Sequence, residues 1–373
     1  MAVIGFGDLK QIALPALWDE DYLKKLELED GTSFGAMVAE AQAALRMLST
    51  EMTTLPHYSG LFAVDDQAEL EYAIGVSNSW SEASEYTPPD PRRGKTTGHM
   101  LPIAPYDIGL GWTQMYMRRA RAASMRADIQ TVIDAGRNLW QQKALTRLFS
   151  STANAVGTTS SDLGFADAAA TDTTYIPPVS PDGETFLGSH THYLGSSVTG
   201  ITASTLDQSA LNVALEHLQE HGVQGPFELV GARADASEWS NTENVTGWKP
   251  PMYQGIAYQA SAVERAMVSD MDNYFGFVET DYGIVRLWLT PRVPSDNFAV
   301  YKTYGGGNQR NPLRMRFRPS TGFGFMIVPG QYVNDPVSLA VGYTEFGFGV
   351  GPNRVAAVLV DVGASTWAAP TIS

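Results

Sequence analysis

Between residues 124 and 149 the apolar positions are Met125, Ile129, Val132, Ile133, Leu139, Trp140, Leu145, Leu148 and Phe149. Most of them fall on one broad face when wound at 3.6 residues per turn, which predicts a helix over 124–149. Ser124 is placed to cap its start, and Asp128 lies early, where negative charge complements the helix dipole. Arg147 and the Ser150-Ser151-Thr152 run mark its end. Such a helix is roughly 39 Å long at about 1.5 Å per residue. A shorter periodic stretch, Ser33 to Leu48, is rich in Ala and Met. It is too small to bury a core by itself and reads as an arm that packs on something else. Thr205 to His221 gives a further helix, with Leu206, Leu211, Leu215 and Leu218 on one side and Gly222 as its stop.

The remaining pattern alternates. Residues 51–115 break repeatedly around Leu70–Val76, Tyr86–Lys95 and Leu101–Ile108, which predicts a long two-stranded excursion with a polar, basic, Pro-rich tip. An isolated hairpin is marginal in water, so this one is expected to lie on another surface. Tyr72, Trp80, Tyr86 and Trp112 make it too aromatic for a disordered linker. Residues 150–205 are rich in Thr, Ser, Gly, Asp and Pro and read as loops and short strands. Later strand candidates are Phe227–Val230, Ile284–Leu289, Phe298–Tyr301, Leu313–Arg318, Gly322–Val328 and Val355–Val360. Strict alternation over Leu313–Arg318 sets Arg314, Arg316 and Arg318 on one face. The fold class is α+β, helices mostly early and strands mostly late.

Composition narrows this. A chain of 373 residues with 44% hydrophobic residues has room for two or three domains. No run approaches the ~18 apolar residues of a membrane span, and the first residues lack the basic and apolar regions of a secretory signal. There is no cysteine, which excludes disulfides and thiolate chemistry and fits assembly in a reducing cytoplasm. A net charge of −15 argues against a nucleic-acid coat of the basic-arm type. The charge is split: residues 1–86 carry −11 and residues 87–150 carry +6. Opposite patches on one chain either form two solvated faces or favour head-to-tail association, an acidic part of one copy on a basic part of another.

Four of the six histidines form two pairs, His190 with His192 and His217 with His221. The second pair, four apart on a helix, shares a face at a spacing that can bind zinc. No Glu directly follows His217, so the metalloprotease pattern is absent, and loop and surface hydrogen bonding is the simpler use. Gly347–Gly351 lacks the spacing and following helix of a dinucleotide site, and Tyr304–Asn308 is a flexible loop. Gly-x-Ser-x-Gly is absent, and a Cys–His pair is impossible. Asn244-Val245-Thr246 is a glycosylation sequon that a cytoplasmic chain would not use. No catalytic, cofactor or metal residue is assigned. Arg118, Arg119, Arg121 and Arg126 at the front of the long helix form a solvated face or touch phosphate or acidic partners; no aromatics alternate with them, so base stacking is not indicated.

The order of these parts resembles the major capsid protein of tailed double-stranded DNA bacteriophages, the Hong Kong 97-type fold shared with encapsulin shells. The pieces are Gly111-Trp112-Thr113 before the long helix, and Gly188–Tyr193 before the helix ending His221-Gly222. Tyr282–Val285 with Pro291 and Pro294, and Glu345–Gly349 running to Arg354, complete the set. The resemblance implies an N-terminal arm (1–50), an extended loop (51–115), a peripheral domain with a spine helix (116–205), an axial domain (206–290), and late strands of the peripheral domain with a return to the axial domain (291–373). It implies no active site and no cofactor. It also implies hexamers and pentamers of an icosahedral head enclosing double-stranded DNA without sequence specificity, with portal and scaffold or decoration proteins as further partners and no membrane. Inter-subunit contact candidates are Trp80, Tyr86, Arg92, Arg93, Lys95, Arg118, Arg119, Arg121 and Arg126. No residue is assignable to the Lys–Asn cross-link of some members, and a long removable scaffold segment is not expected. An encapsulin-type compartment with enzyme cargo is the alternative, and a metal-dependent enzyme resting on the His pairs a third.

Overall fold

A computed structural model describes residues 27–54, 62–65, 69–74, 95–110, 116, 119–150, 155–156, 160–161, 191–250, 273–305, 307–317, 324–329, 340–351, 353 and 356–372. In chain order the elements begin with α1 (Phe34–Thr54), β1 (Phe62–Asp65), β2 (Glu69–Ile74), β3 (Lys95–Met100), β4 (Ala104–Leu110) and α2 (Ala122–Leu148). The middle of the chain holds β5 (Ala155–Val156), β6 (Ser160–Ser161), β7 (Tyr193–Gly195), α3 (Gln208–Glu220), β8 (Phe227–Ala232), the short α4 (Ala236–Trp239) and β9 (Trp248–Lys249). The strands β10 (Tyr274–Thr280), β11 (Gly283–Thr290), β12 (Asn297–Lys302), β13 (Leu313–Phe317), β14 (Met326–Pro329), β15 (Ala340–Val350) and β16 (Ala357–Asp361) follow. Helices come early and strands late, as the pattern predicts.

The described residues divide into two units. The first draws on Met1–Thr53, Ile103–Gln141 and Phe317–Phe346. Its arm helix α1 starts where Ser33 accepts the Ala36 N–H at 3.2 Å. Met37, Ala41, Leu45 and Leu48 recur every three or four residues and are buried. The helix runs past the expected end at Leu48 to Thr54, because no Gly or Pro intervenes before Pro56, and a proline pushes its predecessor out of the helical region.

The long helix α2 begins two residues before the expected cap. Arg121 holds the capping position, its carbonyl accepting Ser124 N–H at 2.9 Å and Met125 N–H at 3.3 Å. Ser124 is therefore inside the first turn. The side-chain acceptor comes instead from Asp30, whose Oδ2 takes the Ala122 N–H at 2.9 Å. Met125, Ile129, Val132 and Ile133 are buried, as the periodicity requires. Gly136 interrupts α2 for a packing reason: a Cβ there would stand 2.8 Å from the Phe325 ring. β14 and β4 both run antiparallel to β15, Tyr343 facing Met326 on one side and Asp107 on the other.

The second unit draws on Thr54–Pro102, Gln142–Arg316 and Gly347–Ser373. It is built on a seven-stranded sheet of order β7-β16-β12-β8-β11-β10-β9. The pairs β8–β11 and β7–β16 are parallel, the others antiparallel. One face carries Phe227, Leu229, Leu287, Leu289, Phe298, Val300, Val358 and Val360, packed in one core with Leu211, Leu215 and Leu218 of α3. Every residue of β8 is buried, so it reads as a continuous run rather than an alternation. Asp207 caps α3, accepting the Ala210 N–H at 2.8 Å. Its end closes as expected at Gly222 (φ 73°), with Gly222 N–H on Gln219 O and Val223 N–H on Leu218 O. The excursion forms a ladder of β2 and β3 from Glu69↔Met100 to Ile74↔Lys95, and β1 runs parallel to β13. Of the expected arginine face, Arg314 reaches Gln309 O at 3.1 Å and Arg316 reaches Leu101 O at 2.7 Å; Arg318 lies outside the described residues.

Candidate functional site

Of the contact candidates, Trp80, Tyr86, Arg92, Arg93 and Arg118 lie outside the described residues, and Lys95 opens β3 opposite Ile74. Arg119 is exposed. Arg121 and Arg126 have partners in their own chain. Arg126 grips Glu40 of α1 with two bonds, Nε to Oε1 at 2.8 Å and Nη2 to Oε2 at 3.0 Å, and Arg121 Nε lies 3.4 Å from Glu29 Oε2. Glu29 N–H also donates to Ala120 O. Hydrogen bonding from Arg126 holds the Glu40 carboxyl below its ordinary range, and the Ala122 N–H does the same to Asp30. Opposite charges from the acidic and basic stretches thus meet within one chain. These groups are about half exposed or more, so each pair stabilises little and weakens in salt.

A different polar contact sits inside the second unit. Glu228, 3% exposed, accepts Arg286 Nη1 at 3.0 Å on one carboxylate oxygen and Trp288 Nε1 at 2.6 Å on the other. Parallel pairing of β8 with β11 places Arg286 directly beside Glu228, with Trp288 two residues on and on the same face. Burial pushes the neighbouring Lys302 ammonium below its usual pKa, and the Glu228 charge opposes that shift. Pattern reading passed over this contact. The available signal was a lone Glu in the apolar run Phe227–Ala232, which a buried carboxylate needs a donor to satisfy.

Three aspartates meet at one end of the same sheet. Asp235 accepts the Asp296 N–H at 3.0 Å, while Asp361 accepts Gly363 and Ala364 N–H at 2.9 and 3.2 Å. Burial, with Asp296 and Glu238 adding repulsion, raises the Asp235 pKa to about 6; burial raises Asp361 as well. The histidines separated by sequence converge too. The His192 ring lies 4.7 Å from that of His221 and 5.9 Å from that of His217, with its Nδ1 at 2.8 Å from Ala357 O. His190 lies outside the described residues. Among the described residues no group of three or more His, Cys, Asp or Glu is arranged to hold a metal ion, and no helix is long and apolar enough to cross a membrane. Gly347–Val350 belong to strand β15, which leaves no phosphate loop there.

No protein-family model matches the sequence, and no curated protein does. Solved structures do. A chain from Mycobacterium phage Patience is 18% identical with a TM-score of 0.62, over 96% of this chain and 97% of that one. The capsid of an empty GTA particle is 13% identical over 82% of this chain and 88% of that one, TM-score 0.45. A virus-like particle from Pyrococcus furiosus is 10% identical over 86% and 98%, TM-score 0.39. The mycobacteriophage chain shares its mixed helix-and-sheet fold with this one along nearly the whole of both.

Proposed function

We propose that this chain is the major shell protein of a phage head, assembling into hexamers and pentamers of an icosahedral capsid around double-stranded DNA. The observation that carries the reading is the whole-chain likeness to the mycobacteriophage chain, which leaves almost no residue of either outside the shared fold. The excursion fits it: a two-stranded ladder with a 20-residue interval between Ile74 and Lys95 needs a surface to lie on, and a neighbouring copy supplies one. The arm, extended-loop, peripheral and axial spans follow from the same reading. Trp80, Tyr86, Arg92, Arg93 and Lys95 of the loop and Arg118 and Arg119 before α2 are its neighbour contacts, with portal, scaffold or decoration proteins as further partners. The chain acts by assembly and carries no catalysis; it assembles in the host cytoplasm and resides in the virion.

Negative-stain electron microscopy of the purified chain tests this. Closed shells, or rings of five and six, are expected; a monodisperse monomer or dimer in the presence of every co-expressed head protein would overturn it. Shells that enclose an enzyme and no DNA would replace the phage head by a cargo compartment. Deleting Thr87–Thr97 should leave a folded chain that no longer assembles, and normal shells from that variant would remove the neighbour-bridging role of the loop.

A further inference from the structure

The shell reading makes no use of the imidazole cluster at the end of α3. His192 immediately precedes β7, and the parallel pairing of β7 with β16 (Tyr193↔Leu359) sets its ring against Ala357. His217 and His221 are one helical turn apart and come over the same ring from α3. His192 is fully buried and His221 nearly so. His221 is also the residue at which the helix ends, directly before the Gly222 turn.

We propose that His192, His217 and His221 form an acid-sensitive latch: neutral, they hold the last turn of α3 against β7 and β16, and proton uptake drives that turn off the sheet. A charged imidazole in this place loses its hydration, and two charged rings 4.7 Å apart repel each other at short range. Two carboxylates of α3 lie next to the cluster in sequence. Exposed Glu216 favours a proton on His217, and Glu220 precedes His221 at the half-buried helix end. The α3 dipole favours positive charge there as well. From β16 the cluster meets the Ala357 carbonyl, and β7 begins with the Tyr193 phenol, whose hydroxyl lies 3.4 Å from Ser150 O.

Burial outweighs the pull of Glu216, and the His217 pKa lies below its ordinary value. In the interval below the usual imidazole pKa of about 6.5, the opened state therefore binds more protons than the closed one. Closure is complete above that interval and is lost as the pH falls through it. The latch belongs to the chain and stands whether or not the chain forms shells.

The test is hydrogen exchange of the whole chain at pH 7.5 and pH 5.5, corrected for the intrinsic rate. Peptides over 215–221 should lose protection at least tenfold at the lower pH, while peptides of β8 and β12 keep theirs. Equal protection at both pH values would overturn the latch. The double variant His217→Gln, His221→Gln should retain protection at pH 5.5; a loss equal to that of the parent would also overturn it. If that variant does not fold, His217→Gln alone decides, through a smaller difference between the two pH values than the parent shows.

Discussion

The arm junction and the sheet interior use the same chemistry, a carboxylate facing an arginine, under opposite conditions. Glu40 and Arg126 meet in water, with side chains 50% and 54% exposed; Glu228 meets Arg286 with its own side chain 4% exposed. In the first case solvent already satisfies both groups, and the pair fixes a direction of approach more than it stabilises. In the second, the carboxylate has been withdrawn from water and is compensated by the Arg286 and Trp288 hydrogen bonds among its partners. Removing one partner therefore tests burial rather than charge.

Glu228→Ala should give the largest effect, a loss of about 2–4 kcal/mol, because Trp288 Nε1 and the Arg286 guanidinium both lose their buried acceptor. Chemical denaturation in 0.05 and 1 M NaCl would measure it, and the loss should be the same in both. Asp235→Asn comes next and acts in the opposite direction. The folded pKa near 6 lies above the ordinary 3.8, so the folded state binds the extra proton between those values and stability falls as pH rises through that interval. An amide still accepts the Asp296 N–H without charge. The variant should melt higher than the parent at pH 8 and flatten the slope between pH 4 and pH 6. Glu40→Ala should give the smallest effect, a slight loss at low salt and nothing measurable in 1 M NaCl. A salt-independent loss there as large as that of Glu228→Ala would erase the contrast between the two regions.

What sequence could and could not reveal divides along the same line. The end of α3 was legible because its signal is local: Gly222 accepts the positive φ that lets two N–H groups turn back on the helix carbonyls. The α2 pattern was legible for the same reason, but its start was not. Ser124 is the nearest residue with a capping side chain, yet the acceptor used, Asp30, stands 92 residues earlier. The charge split was visible as a total, without indicating that Glu40 would meet Arg126 in the same chain. Glu228 sits in an apolar strand, and only the pairing with β11 sets Arg286 beside it. His192 and His221 belong to separate pairs in the sequence, and the fold brings their rings to 4.7 Å.

The distance in sequence between Asp30 and Ala122 also sets a schedule for synthesis. A ribosome adding about 5–20 residues per second needs roughly 5–18 s to travel from one to the other. Through that interval α1 exists as a nascent amphipathic segment, with Met37, Ala41, Leu45 and Leu48 made but the N-terminus of α2 still untranslated. The wait for β4 is longer, since its partner β15 begins at Ala340, late in the message. The arm must therefore stay soluble through its acidic residues before it has anything to dock on, and the first unit can close only near the end of translation.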